Sequence, residues 1–253
     1  MSLLRLQNLS KAFGGLVAVA GVSFAVEENS IVGLIGPNGA GKTTVFNIIT
    51  GNYKPDSGEV FFDGKDITGR PTHEIVSLGI ARTFQNIRLF QDMSVLENVL
   101  AGRHCRMASG LFSSIFKPPS QRREEKEAVE RAMRELAFVG LDTQFSNLAG
   151  NLSYGNQRLL EIARALASDP RFLILDEPAG GMNDYETAAL VTLIRSIRER
   201  GITVLLIEHD MNLVMRVCQK LVVLEYGAMI AIGIPAEIKK NPQVIEAYLG
   251  VED

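Results

Sequence analysis

An apolar run, Ile31-Val-Gly-Leu-Ile35, leads directly into Gly36-Pro37-Asn38-Gly39-Ala40-Gly41-Lys42-Thr43-Thr44, and the helix-forming stretch behind it meets a stop signal at Gly51. Strand, glycine-rich turn and helix in that order leave few folds open. The glycines let backbone N–H groups wrap a phosphate chain, and the helix turns its partly positive end on the same point. Lys42 is then placed to reach the terminal phosphates of a triphosphate, and Thr43 to ligate Mg²⁺. The chain reads as an α/β protein with a nucleotide cradle at positions 36 to 44.

Two further apolar runs, Phe172-Leu-Ile-Leu175 and Ile202 to Ile207, have no polar face, as expected of strands in a parallel sheet covered by helices on both sides. The first sixty residues differ. Leu4 and Leu6 alternate with Arg5 and Gln7, Val22, Phe24 and Val26 with Ser23 and Ala25, and Asp63-Gly64 signals a hairpin, so an antiparallel sheet is expected beside the parallel one. From Glu124 to Val139 the apolar residues Ala128, Val129, Ala132, Met133 and Leu136 recur at helical spacing and predict the inner face of a helical lobe. Ser109 to Gln121, with Pro118 and Pro119, reads as a surface excursion.

Charge and cysteine usage exclude other classes. Lys plus Arg number 26 against 29 Asp plus Glu, a net charge of −3, which supplies no basic field for nucleic acid. The uncharged stretch from Tyr226 to Ile234 is far short of the roughly 18 residues that span a bilayer, and the start lacks an apolar signal region, so a cytoplasmic location is expected. Cys105 and Cys218 have no metal-binding spacing and read as reduced thiols.

Asp176 and Glu177 close the second apolar run, where ligands of open α/β sheets collect. Asp176 is expected to hold Mg²⁺ and Glu177 to orient or deprotonate an attacking water, its pKa raised by the neighbouring charge. His209 follows the third run and is expected at the same sheet edge, near the γ-phosphate. Ser153 precedes an amphipathic helix containing Gly155; it reads as an N-cap, or as part of a second anion-binding helix start.

In this order the residues resemble the ATP-binding cassette subunits of membrane transporters over essentially the whole chain. The resemblance implies a P-loop NTPase core of mixed, mostly parallel sheet, with an antiparallel β subdomain and an inserted helical subdomain. It divides the chain into residues 1–86 and 161–253 for the core and 87–160 for the helical part. It adds Gln85, touching Mg²⁺ and linking nucleotide to the helical lobe, and Phe13, stacking on adenine, although a core or edge Phe fits the residue equally. Leu152 to Gln157 becomes the signature, with Tyr154 and Asn156 where the family has Gly and Gln, and Asn183 stands where an acid is usual. ATP and Mg²⁺ are the implied cofactors. The implied partners are transmembrane permease subunits, a second cassette sharing two ATPs across the interface, and indirectly a substrate-binding protein, which places the chain peripherally on the inner face of the cell membrane. The segments around Gln85, Tyr154 and Tyr248 are similar to the branch that imports branched-chain or hydrophobic amino acids. Urea or amide import, lipopolysaccharide export and soluble cassette ATPases are the alternatives. A GTPase is excluded by the missing Asn-Lys-x-Asp loop, and a binding-only scaffold would be expected to lose the acid at 177.

Overall fold

The computed structural model describes residues 2–103 and 119–249. The chain opens with two long strands, β1 (Ser2–Phe13) and β2 (Leu16–Glu27), and then β3 (Ile31–Ile35), whose end releases the glycine-rich turn into α1 (Lys42–Ile49). The hairpin of β4 (Ser57–Phe62) and β5 (Lys65–Asp66), short α2 (Thr72–Ser77) and β6 (Ile80–Arg82) follow. Among the described residues α3 (Val95–Arg103), α4 (Pro119–Val139) and α5 (Tyr154–Leu166) come next. The chain then returns through β7 (Phe172–Asp176), α6 (Asp184–Glu199), β8 (Thr203–Ile207), α7 (Met211–Val217), β9 (Lys220–Glu225), β10 (Ala228–Gly233), α8 (Pro235–Ile238) and α9 (Pro242–Leu249).

The strands of the described residues form two sheets. One is antiparallel in the order β2-β1-β4-β5; the other runs β10-β9-β3-β8-β7-β6, parallel except at the β10 edge. Asp63 and Gly64 both have positive φ, 51° and 72°, as the expected two-residue hairpin turn requires. Register sets the site: Ile207 lies opposite Leu34 on one side and Asp176 on the other, so the ends of β3, β8 and β7 open side by side.

Alternate residues of these strands serve two cores. Val32, Leu34, Ile174, Leu205 and Ile207 face a cluster with Leu4, Leu6, Phe24, Phe46 and Phe62 from the antiparallel sheet and α1. Ile31, Ile35, Leu173, Leu175, Val204 and Leu206 face the helices, packing with Val99, Leu136, Leu160 and Ile194. Each such fully buried side chain contributes about 1.5–3 kcal/mol, which fixes the sheet between the layers.

On α4, Ala128, Ala132 and Leu136 are buried as expected, whereas Val129 is exposed. Met133 is half-buried against the same cluster, and Val129, at the border of that face, is 38% exposed. The excursion expected from 109 to 121 falls outside the described residues except for Pro119 to Gln121, which open α4. Cys105 also lies outside them; Cys218 is a buried free thiol.

Candidate functional site

The loop at 36–41 is shaped by close backbone approach. At Gly36 (φ 148°) an added Cβ would lie 2.1 Å from the Leu224 carbonyl oxygen, and at Gly41 (φ 97°) 2.3 Å from that of Ala18. Side chains at either place would push the loop off β9 or β2. Gly41 N-caps α1, so the cradle and the helix start coincide. Lys42 is only 8% exposed and folds back over the loop, its Nζ donating to the carbonyls of Gly36 at 2.7 Å and Pro37 at 2.8 Å. Burial lowers its pKa, while the charges of Glu177 and Asp176 act the other way. Thr43 and Thr44 open α1 beside it.

Phe13, Leu16, Val17, Ala18, residues 38–44, Gln85, Glu177 and Tyr226 line one cleft of about 480 Å³. Phe13 ends β1 at its rim, held edge-on by Tyr53 with ring centroids 5.2 Å apart, and with Lys11 Nζ 5.5 Å from its centre. An exposed aromatic at a cleft mouth can stack on a planar base.

The acid pair sits across from the lysine. Asp176 ends β7 buried, its amide donating to the Thr83 hydroxyl at 3.2 Å; burial first, and then the charge of Glu177, push its carboxyl up to about 6. The repulsion between the two acids thus registers on Asp176. Glu177 has a positive φ of 46°, a conformation that costs a non-glycine residue roughly 1–3 kcal/mol and concentrates at functional sites. Its amide donates to Ile207 O at 2.8 Å, and its Oε2 accepts from Gln85 Nε2 at 2.8 Å. His209 Nδ1 lies 3.8 Å from Glu177 Oε1 and 3.8 Å from Glu208 Oε2, at the shared edge. Glu208, buried and not foreseen, accepts the amides of Ala179 at 2.9 Å and His209 at 3.0 Å and ties the β7 and β8 ends together.

Thr43, Asp176 and Gln85 offer a hydroxyl, a carboxylate and an amide oxygen, hard donors of the kind Mg²⁺ takes together with phosphate oxygens and water. The Asp176 carboxyl, buried at the end of β7 next to Glu177, places negative charge where such a cation would sit.

Ser153 caps α5, its hydroxyl accepting from the Asn156 amide at 3.3 Å, and Gly155 lies buried against the Glu186 carboxylate. Within this chain the α5 start is not among the residues lining the nucleotide cleft. Asn183, the odd residue in the segment after β7, completes a capping box with Glu186: Oδ1 accepts from the Glu186 amide at 3.0 Å and Glu186 Oε2 from the Asn183 amide at 3.0 Å.

A glycine-rich loop at the end of one parallel strand, an acid pair on another and a glutamine and histidine meeting the second acid define an ATPase of the P-loop class. A family model described as "ABC transporter" matches residues 19–180, and one described as "Branched-chain amino acid ATP-binding cassette transporter" matches residues 228–253. The chain belongs to the ABC transporter family, as one of its ATP-hydrolysing cassettes. It is 50% identical over 250 residues, 98% of both chains, to the high-affinity branched-chain amino acid transport ATP-binding protein BraF of Pseudomonas aeruginosa. It is 47% identical, again over 98% of both chains, to LivG of Escherichia coli, of the same description. Among solved structures it is similar to the ADP conformation of an ATP-binding cassette of an ABC transporter, with a TM-score of 0.87, 37% identity and 99% of each chain covered. A dimeric bacterial ABC transporter cassette matches with a TM-score of 0.77 and 25% identity over 92% of this chain and 98% of that one. No helix of the described residues is long and apolar enough to cross a membrane.

Proposed function

We propose that this chain hydrolyses ATP to power the import of branched-chain amino acids through separate membrane subunits, working on the inner face of the membrane with a second cassette and supplied by a substrate-binding protein. The observation that carries the cargo is full-length similarity to cassettes of that description, with a branch-specific family model over the last strand and C-terminal helices. Urea or amide import and lipopolysaccharide export are not the cargoes those relatives are described as carrying.

The backbone of 36–41 and Lys42 bind the phosphates, and Phe13 takes the base. Thr43, Asp176 and Gln85 would hold Mg²⁺, which when bound neutralises charge on the phosphate chain. Glu177 accepts a proton from the attacking water, oriented by its bond to Gln85, and His209 reaches the γ-phosphate from the end of β8. Ser153 and Gly155, set apart from this chain's own cleft, serve the ATP of a partner cassette. The helical part, residues 87–160, faces the membrane subunits beside a cleft of about 670 Å³ lined by Phe84, Arg88, Phe90 and Arg164.

In cells lacking the gene, uptake of labelled leucine, isoleucine and valine at limiting concentration should fall and return with the wild-type chain. Glu177→Gln should bind ATP but turn over roughly 10² to 10⁴ more slowly and fail to restore uptake. Undiminished uptake in the deletion strain would refute the cargo; normal turnover by Glu177→Gln would refute the role of Glu177.

A further inference from the structure

Tyr154, one of the two residues that depart from the family's signature, meets Gly181 and Arg158. Its ring covers Gly181, where a Cβ would come within 2.8 Å of the ring's Cε1, and its hydroxyl accepts a hydrogen bond from Arg158 Nη2 at 2.9 Å. Arg158 lies one turn further along α5 and is 4% exposed. Its guanidinium carbon is 5.3 Å from the centre of the Tyr154 ring and its Nη1 is 3.6 Å from the buried carboxylate of Glu161. The same guanidinium donates to the Phe84 carbonyl through Nη1 at 2.7 Å and to the Gln85 carbonyl through Nη2. Beyond that carbonyl the Gln85 side chain meets Glu177.

Residues 83–94 carry no helix or strand, so regular structure does not fix the Gln85 backbone. It is held instead from α5. Arg158 grips the carbonyls of 84 and 85, while Arg164 donates to the Arg88 carbonyl and Glu161 accepts the Arg88 amide at 3.3 Å. A planar guanidinium can serve two backbone carbonyls, a phenol and a carboxylate at once; an ammonium on a flexible stem cannot hold that geometry.

We propose that Arg158 is a positioning residue for ATP hydrolysis: it sets Gln85 against Glu177 and, through Tyr154, registers that contact to the start of the signature helix and to Gly181. The proposal rests on Glu177 as the water-activating residue. It gives Tyr154 a task that glycine cannot perform, and predicts that shifting the start of α5 drags Gln85 with it.

The test is ATPase kinetics on the purified chain. Arg158→Lys should lower kcat about 10- to 100-fold, the scale expected of a misplaced catalytic group, with KM for ATP within about threefold. Tyr154→Phe, which removes one hydroxyl and keeps the ring, should lower kcat about threefold or more without changing KM or the melting temperature. Because Arg158 acts through Gln85, either variant combined with Gln85→Ala should be little slower than Gln85→Ala alone. A merely structural role would lower stability and active fraction, and the two losses would multiply. Multiplicative losses, or wild-type kcat in both single variants, would overturn the proposal. Should Arg158→Lys not fold, Tyr154→Phe carries the same cycle alone. Glu177→Gln measured alongside separates the failures: fast turnover there removes Glu177 from the chemistry, whereas slow turnover with multiplicative cycles removes only Arg158.

Discussion

Replacing Lys42 with alanine should separate two duties that one side chain performs. In the function proposed above, Lys42 is the cation that meets the phosphates, and deleting one member of such a buried charge pair costs about 2–5 kcal/mol, or roughly 30- to 5,000-fold in Kd. In the structure the same ammonium donates to the Gly36 and Pro37 carbonyls at 2.7 and 2.8 Å. Hydrogen bonds from a charged donor contribute about 1.5–3 kcal/mol each, and release of Lys42 from a site that disfavours its charge offsets part of the loss. The nucleotide-free variant should therefore be less stable by about 1–2 kcal/mol, about 2–8 °C in melting temperature for a chain of this size. Titration with a fluorescent ATP analogue reads the first quantity and calorimetry of the nucleotide-free protein the second. An affinity within about threefold of wild type would refute the phosphate role. Lowered affinity with an unchanged melting temperature would leave binding intact as an explanation and remove the loop-closing role.

Asn98 is fully buried and holds the turn before α3, donating to the Phe90 and Ser94 carbonyls at 3.0 Å and accepting from the Phe90 amide at 2.9 Å. Asn98→Ala would strand those groups and should cost about 2–3 kcal/mol, measured by urea unfolding; an unchanged midpoint would show that the turn stands without it. Burial pushes the Cys218 thiol from its ordinary 9.0 up to about 12. The stability this gives is therefore fully present below about pH 9 and is lost as pH rises towards 12, so wild type should lose more stability over that range than Cys218→Ala. For the same reason Cys218 should resist alkylation at pH 8 until the protein is unfolded, and mass spectrometry of its peptide showing rapid native labelling would contradict the burial.

Much of the frame was legible because it rests on local pattern. Three apolar runs became β3, β7 and β8, the alternating segments became β1 and β2, and Asp63-Gly64 made its hairpin. β6 was not, since three residues carry no period, and neither was β10, whose uncharged stretch alone does not distinguish a strand. The site divides in the same way. Lys42, Asp176 and Glu177 were visible as spacing within single segments. Asn183 stands out in the sequence as a missing acid, although Asn183 followed three positions later by Glu186 is itself a helix-start signal. Nothing local marks Arg158, because the two carbonyls it grips lie more than seventy residues earlier and meet it only when α5 packs over the loop from 83 to 94. The left-handed turn at Glu177 is equally silent, being imposed by the join between β7 and the residues that follow.

The order of strands also fixes when the nucleotide loop can exist. β3 is emitted early, yet its hydrogen-bonded neighbours are β8 and β9, which leave the ribosome nearly two hundred residues later. At roughly 5–20 residues per second that is on the order of 10–40 s during which an entirely apolar strand has no partner. The wall behind Gly36 is the Leu224 carbonyl on β9, so the loop cannot take its final shape before that strand arrives. A chain truncated before β9 would present the whole glycine-rich motif and still lack a phosphate site. Its exposed strand 31–35 would make it a substrate for chaperones and proteases.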